Sequence, residues 1–171
     1  MNNTAIAWFR NDLRLADNPA LTMAAAHNRP IVPLFILEEN VDDPWPIIGA
    51  ARWRLHQSLA ALAGDIAALG GRLILRRGRP AEILPALAAE TGAQAVYWNR
   101  RYEPAAIARD AALKSALKAQ GLSVETFNGA LLFEPWEIKT GGGKTGGGGP
   151  YKVFTPFWQA IRAAATQPAE P

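Results

Sequence analysis

Cysteine is absent from the 171-residue chain, which excludes disulfides and thiolate metal sites outright. Histidine is nearly absent too: His27 and His56 are the only two, too few for an imidazole-rich transition-metal centre. No apolar run approaches the roughly 20 residues that a membrane-spanning helix needs. The opening MNNTAIAWFRND has no basic segment followed by a long apolar stretch, so no secretory signal is visible. Together these features point to a cytoplasmic protein without a membrane partner. Charge of one sign is also scarce. The formal net charge is +3, from 18 basic against 15 acidic residues, without the dense cationic stripe of a domain that binds DNA by itself. The local cluster Arg72, Arg76, Arg77 and Arg79 reads as the solvated end of a strand and its turn, with phosphate contact as the alternative.

What is present is ordinary for a folded domain: 49% apolar and 19% charged residues. Short apolar runs alternate with longer helical patterns, the signature of βα units and a parallel sheet. Ala5 to Phe9 reads as the first strand, leading into a polar loop from Arg10 to Asp17. Asn18 caps a helix that begins at Pro19, where the missing N–H is not needed. Ile31 to Leu37 is an unbroken apolar run, as expected of a strand buried on both faces.

The spacing of Leu55, Leu59, Leu62, Ile66 and Leu69 predicts a helix over Ala50 to Leu69 with one apolar stripe, stopped by Gly70 and Gly71. A third strand over Arg72 to Arg76 precedes a helix over Pro80 to Thr91, in which Pro85 is expected to bend or delay the first turns. Ala95 to Asn99 makes the fourth strand. Glu103 and Pro104 open a helix to Gln120, closed by Gly121, and Ser123 to Phe127 makes the fifth strand.

The fold class is therefore α/β: a Rossmann-like, doubly wound, five-stranded parallel sheet with helices on both faces. With strand order 3-2-1-4-5, the ligand crevice falls between the carboxyl ends of strands one and four. The loops Arg10 to Asp17 and Arg100 to Glu103 would line it, with Leu37 to Glu39 nearby. The chain changes character after Phe133, which divides it into a domain over 1–133 and a stretch over 134–171 that comprises a glycine-rich interdomain linker and the start of a further domain. Lys139 to Gly149 reads KTGGGKTGGGG and predicts a mobile segment. It fails the phosphate-loop pattern, because the first glycine would have to be residue 138, which is Ile138.

Three stretches carry a family resemblance. Trp8 to Asn18, WFRNDLRLADN, resembles the opening of the DNA photolyase/cryptochrome family, W-F-R-x-D-L-R-x-x-D-N. Val96 to Pro104, VYWNRRYEP, is similar to that family's fourth strand and following turn. Tyr151 to Trp158, YKVFTPFW, resembles the segment where its chain leaves this domain. The resemblance implies an N-terminal α/β domain that docks on a helical domain, of a kind that often holds a light-harvesting antenna chromophore: folate, deazaflavin or flavin. It places FAD, the flipped pyrimidine dimer and the electron transfer that splits it in the helical domain, beyond this sequence, so DNA is a partner through the parent protein only. The parent implied is a cyclobutane pyrimidine dimer photolyase, a carbon–carbon lyase, and the domain alone is expected to be inactive. Trp8, Trp45, Trp53, Trp98, Trp136 and Trp158 read as core or interface aromatics rather than an electron relay.

The resemblance also marks individual residues. Phe35, Ile36, Leu37 and Glu38 match the segment beside the antenna, and Arg52 matches a position that contacts it in some members. An arginine near a helix start opposes the dipole and needs a partner, for which Glu38 is a candidate. Asn99, Arg101 and Glu103 fall in the turn after strand four. Asn99 has the alternative role of ending the strand, and Glu103 that of capping the helix. Arg101 replaces the aspartate of deazaflavin-binding relatives. Ala105 and Ala106 replace the Asn and Glu of the best-known folate mode, so neither ligand set is intact, which leaves another folate-binding mode, a flavin antenna or an empty site open.

Arg10, Asp12 and Arg14 read as an architectural loop whose Arg–Asp pair meets the helical domain. Tyr151, Lys152, Phe154, Phe157 and Trp158 read as docking residues, with self-association expected where they lack their partner. A cryptochrome photoreceptor parent is the nearest alternative. A stand-alone nucleotide- or flavin-binding module is another, but it requires a glycine loop, and Arg10 to Asn18 contains no glycine.

Overall fold

The computed structural model describes residues 4–38, 47–140 and 148–165. Glu39, Trp45, the glycine repeat over 141–147 and the proline-bearing end lie outside the described residues. The chain divides into two units, Met1–Ala130 and Leu131–Pro171.

The first unit carries one sheet of five parallel strands, β1 (Thr4–Phe9), β2 (Ile31–Leu37), β3 (Ile74–Arg77), β4 (Ala93–Asn99) and β5 (Ser123–Phe127), in the order β3-β2-β1-β4-β5. Four helices connect them: α1 (Pro19–Ala25), α2 (Gly49–Ala68), α3 (Pro80–Thr91) and α4 (Pro104–Ala119). The doubly wound architecture read from the alternation is the one observed.

β1 occupies the centre of the sheet, and all of its residues are buried. Its period-two alternation builds two cores. Ile6 and Trp8 join Leu34, Ile36, Val96 and Trp98 against α3 and α4. Ala5, Ala7 and Phe9 join Phe35 and Tyr97 against α1 and α2. Ala20 and Ala24 of α1 meet this second face, where the small Ala5 and Ala7 leave room for close approach. Trp8 and Trp98, neighbours on β1 and β4, pack edge to face with centroids 5.6 Å apart, the favoured geometry for two aromatic quadrupoles.

The helix ends follow their local chemistry. Asn18 accepts a hydrogen bond from the Leu21 N–H at 3.2 Å, capping α1 ahead of Pro19. Gly92 closes α3 in the left-handed conformation, φ 67°. α3 runs unbroken from Pro80, so Pro85 does not delay its start. A proline this close to the N-terminus forfeits only the single hydrogen bond to the carbonyl of Ala81.

The stripe on α2 is shorter than its sequence spacing suggests. Leu62 and Ile66 are buried, Leu55 and Leu59 partly so, but Leu69 is 78% exposed. It follows the last α-helical residue, Ala68, at the cap, where the chain turns through Gly70 toward β3. β3 begins at Ile74, two residues later than its sequence start at Arg72, and extends to Arg77.

The second unit contains α5 (Phe154–Ala164), a helix that the sequence reading did not identify. Phe154 stacks on Trp158 one turn on, and Tyr151 meets Phe157. No described helix is long and apolar enough to cross a membrane.

Candidate functional site

Among the described residues, two clefts on the first unit take in many of the residues singled out from the sequence. The first lies at the carboxyl ends of β1 and β4, where the strand order reverses. It encloses about 380 Å³ and is lined by Arg10, Asp12, Arg14, Asn99, Arg101 and Glu103, among others. At this switch point many doubly wound proteins seat a phosphate on a glycine turn. Here the chain fills the position with its own charges.

Arg10, the first residue after β1, is 95% buried. Its Nη1 donates to Asp110 Oδ2 of α4 at 2.6 Å, and its Nη2 donates to the backbone carbonyl of Asn99. The guanidinium also covers the Trp8 ring at 4.9 Å. The Arg10 side chain thus pairs with Asp110 and not with Asp12, while within the loop Arg14 pairs with Asp17 at 3.5 Å. Asp12 instead accepts from the Arg10 backbone N–H at 2.8 Å and from Asn99 Nδ2 at 2.5 Å.

Asn99 does more than end β4. Its amide donates also to Asn18 Oδ1 at 2.8 Å, and its Oδ1 accepts from the Ala20 N–H at 3.2 Å, so one side chain ties β4 to the first loop and to α1. Arg14 reaches across to the Gly129 carbonyl at 2.8 Å. Burial pushes the Arg10 pKa below its usual value, and Asp110 opposes that push.

Glu103 stands at the N-cap of α4, but its side chain makes no capping bond. Its carboxylate accepts from Arg101 Nη2 at 3.0 Å, and this bond holds its pKa below the ordinary carboxylate value. Glu38 does not pair with Arg52. It accepts from Arg109 Nη1 of α4, whose Nη2 reaches Asp110 at 3.0 Å. Burial nevertheless raises the Glu38 pKa, and Arg109 only partly offsets it. Glu38, Arg109, Asp110 and Arg10 thus form one alternating row of charges.

The second cleft, about 350 Å³, opens between α2 and the ends of β2 and β3. Phe35 and Leu37 of β2, Leu55 and Leu59 of α2, and Leu75 of β3 give it an apolar floor. Arg52, His56 and Arg77 are its polar side chains, together with Arg76, which pairs on the other face of the sheet with Glu90 at 3.2 Å. Ile36 points the opposite way, into the core beside Trp8 and Leu34, so only its backbone faces this side.

The sequence segment from Phe35 to Glu38 therefore serves three places: the second cleft, the α3/α4 core and the ion-pair row. Leu75, His56 and Arg77 were not singled out as ligands by sequence reasoning. The available signal is Leu75, a leucine left 56% exposed on an edge strand. In the second unit Lys152, Phe154, Phe157 and Trp158 are exposed and Tyr151 is half-buried.

The sequence model of the DNA photolyase family matches residues 5–171. The chain belongs to that family. It is 46% identical over 168 residues to a deoxyribodipyrimidine photo-lyase of Agrobacterium fabrum, a match covering 97% of this chain and 33% of the relative. It is 36% identical to cryptochrome-1 of Arabidopsis thaliana, over 98% of this chain and 24% of that protein.

Among solved structures, a bacterial class III photolyase from Agrobacterium tumefaciens superposes with a TM-score of 0.85 at 46% identity, covering 95% of this chain and 32% of that one. The chain thus spans about a third of the photolyases it matches, and it corresponds to their N-terminal α/β domain.

Proposed function

We propose that the chain is the antenna-carrying domain of a light-driven DNA photolyase, whose FAD and lesion chemistry reside in the two-thirds of the relatives that this sequence does not span. The observation that carries this reading is the 46% identity to a deoxyribodipyrimidine photo-lyase over 97% of the chain. Cryptochrome-1 is also a relative, but at 36%. The exposed aromatic face of α5 supports docking on a helical domain, since such a patch ordinarily finds a partner.

The second cleft is where an antenna chromophore fits. Its volume falls in the range of small-molecule sites, roughly 300–1,000 Å³, and it has the usual apolar lining with few polar groups. Phe35, Leu37, Leu59 and Leu75 would hold a planar ring and exclude water from it, with Arg52 of α2 among the residues in contact with it. A bound chromophore of this kind supplies absorption of near-ultraviolet or blue light and passes the excitation on. The first cleft supports an architectural role, because the Arg10 guanidinium and the Asn99 amide already bond to Asp110, the Asn99 carbonyl and Asp12.

The test is to extend the chain with the remaining two-thirds present in its relatives and assay light-driven splitting of thymine dimers. Repair with flavin bound upholds the photolyase reading. Flavin binding without repair sinks it in favour of a photoreceptor.

A further inference from the structure

We propose that Asn128–Gly129, in the bend that follows β5, is a site of spontaneous deamidation whose isoaspartyl product loosens the first cleft. Asn128 is the one asparagine in the sequence that a glycine follows. With no side chain on Gly129, nothing on that residue hinders its backbone nitrogen from approaching the Asn128 amide. The local geometry holds the two together. Asn128 Oδ1 accepts from the Ala130 N–H at 3.2 Å, and the ring closed by that bond contains both Asn128 Cγ and the Gly129 nitrogen. The same bond draws electron density from the side-chain carbonyl, which makes Cγ the better electrophile. Asn128 is half-buried and Ala130 exposed, so water and hydroxide reach the bend.

Hydroxide removes the Gly129 amide proton, and the nitrogen then forms a bond to Asn128 Cγ. The bond from Cγ to the side-chain nitrogen breaks. That nitrogen takes a proton from water and leaves as ammonia, which restores the hydroxide. A further water opens the cyclic imide at either carbonyl. One opening gives aspartate; the other gives isoaspartate, whose main chain runs through the former side chain and is one methylene longer.

The fold has no slack for that methylene. On one side of Asn128 the Phe127 carbonyl accepts from the Arg100 N–H at 2.8 Å. On the other the Gly129 carbonyl accepts from Arg14 Nη2 at 2.8 Å, and Gly129 lies against the Asn99 side chain. Lengthening the chain between these anchors breaks one of them. The Arg14 bond is the one that yields, because its side chain is 41% exposed and free to swing into solvent. Arg14, Asn99, Arg100 and Gly129 all line the first cleft, so the change is felt there.

The experiment incubates the purified chain in mildly alkaline buffer, folded and in parallel unfolded in urea. Peptide mass spectrometry reads deamidation, and methylation by isoaspartyl methyltransferase reads isoaspartate. In the folded chain Asn128 is expected to gain a single mass unit and isoaspartate to appear, with neither change at Asn18 or Asn99. Asn128→Gln should abolish both signals. The isoaspartyl form should unfold at lower urea, its folded-to-unfolded ratio reduced about tenfold, as for the loss of a hydrogen bond to a charged group. Asn128→Asp keeps the main-chain length and the oxygen that bonds Ala130, and should unfold with the unmodified chain.

No modification of Asn128 in the folded chain, whatever happens in urea, overturns the site. An isoaspartyl form as stable as the unmodified chain overturns its effect on the cleft. An Asn128→Asp variant as unstable as the isoaspartyl form assigns the loss to the new charge and overturns the role of the methylene.

Discussion

Gly129 lies so close to the side chain of Asn99 that a Cβ built on it would fall 2.5 Å from Asn99 Cγ. Asn99 cannot yield, because it is buried and its amide bonds to Asp12, Asn18 and the Ala20 N–H. Gly129→Ala is therefore expected to cost about 1–3 kcal/mol, as overpacking does. Gly64, in the exposed middle of α2, meets nothing within 4 Å of a built Cβ, so Gly64→Ala should stabilise the chain by up to about 1 kcal/mol. Urea unfolding of both variants checks the pair. Equal effects at the two sites would refute the steric account.

The Arg10–Asp110 pair joins side chains that are 4% and 12% exposed. Asp110→Asn would leave Arg10 charged, buried and without its counter-ion, an arrangement that typically costs about 3–5 kcal/mol. The double variant Arg10→Met with Asp110→Leu removes both charges and should recover most of that loss. Chemical denaturation of the two variants decides the point: a double variant as unstable as the single one would place the cost in lost packing.

The raised pKa of Glu38 has a sign that can be measured. A carboxyl that holds its proton more tightly when folded favours the native state below its unfolded value of 4.5. That contribution is lost as the pH rises through the raised folded value. Glu103 shifts the other way: its contribution is present above 4.5 and is lost as the pH falls through its lowered folded value. Glu38→Gln should therefore flatten the decline in stability as the pH rises from 4.5 through the raised folded value. An unchanged profile of unfolding midpoints would show that Glu38 titrates normally.

α5 carries Phe154 at 71% and Trp158 at 47% exposure, preceded by Val153 at 63%. Concentration-dependent self-association of the isolated chain is expected in light scattering, reduced by Phe154→Ser combined with Trp158→Ser. A clean monomer at high concentration would argue against these residues forming a docking face.

The parts legible in the sequence were those set by local pattern. β2 and β5 match their sequence bounds because each is a short β-prone run between Pro, Gly or Asn residues. β3 was misplaced because the edge strand starts only at Ile74 and tolerates Arg76 and Arg77 at its end. α5 was missed because Pro156 falls in its first turn and glycines precede it. The polar site was harder still. Arg10 and Asp110 lie 100 residues apart, and no periodicity links them. Likewise Glu38 and Arg109 lie 71 residues apart, and strand order rather than the local sequence brings them together.

The central position of β1 bears on how the chain acquires its fold during synthesis. β2 can pair with one edge of β1 once about the first 40 residues have emerged, but the other edge waits for β4 at Ala93–Asn99. Until then the nascent protein presents an apolar strand with an open row of N–H and C=O groups, the kind of edge on which other chains aggregate. The sheet is complete only when β5 follows, so its folding is governed by long-range pairings and is slow by the standard of helical domains of this size.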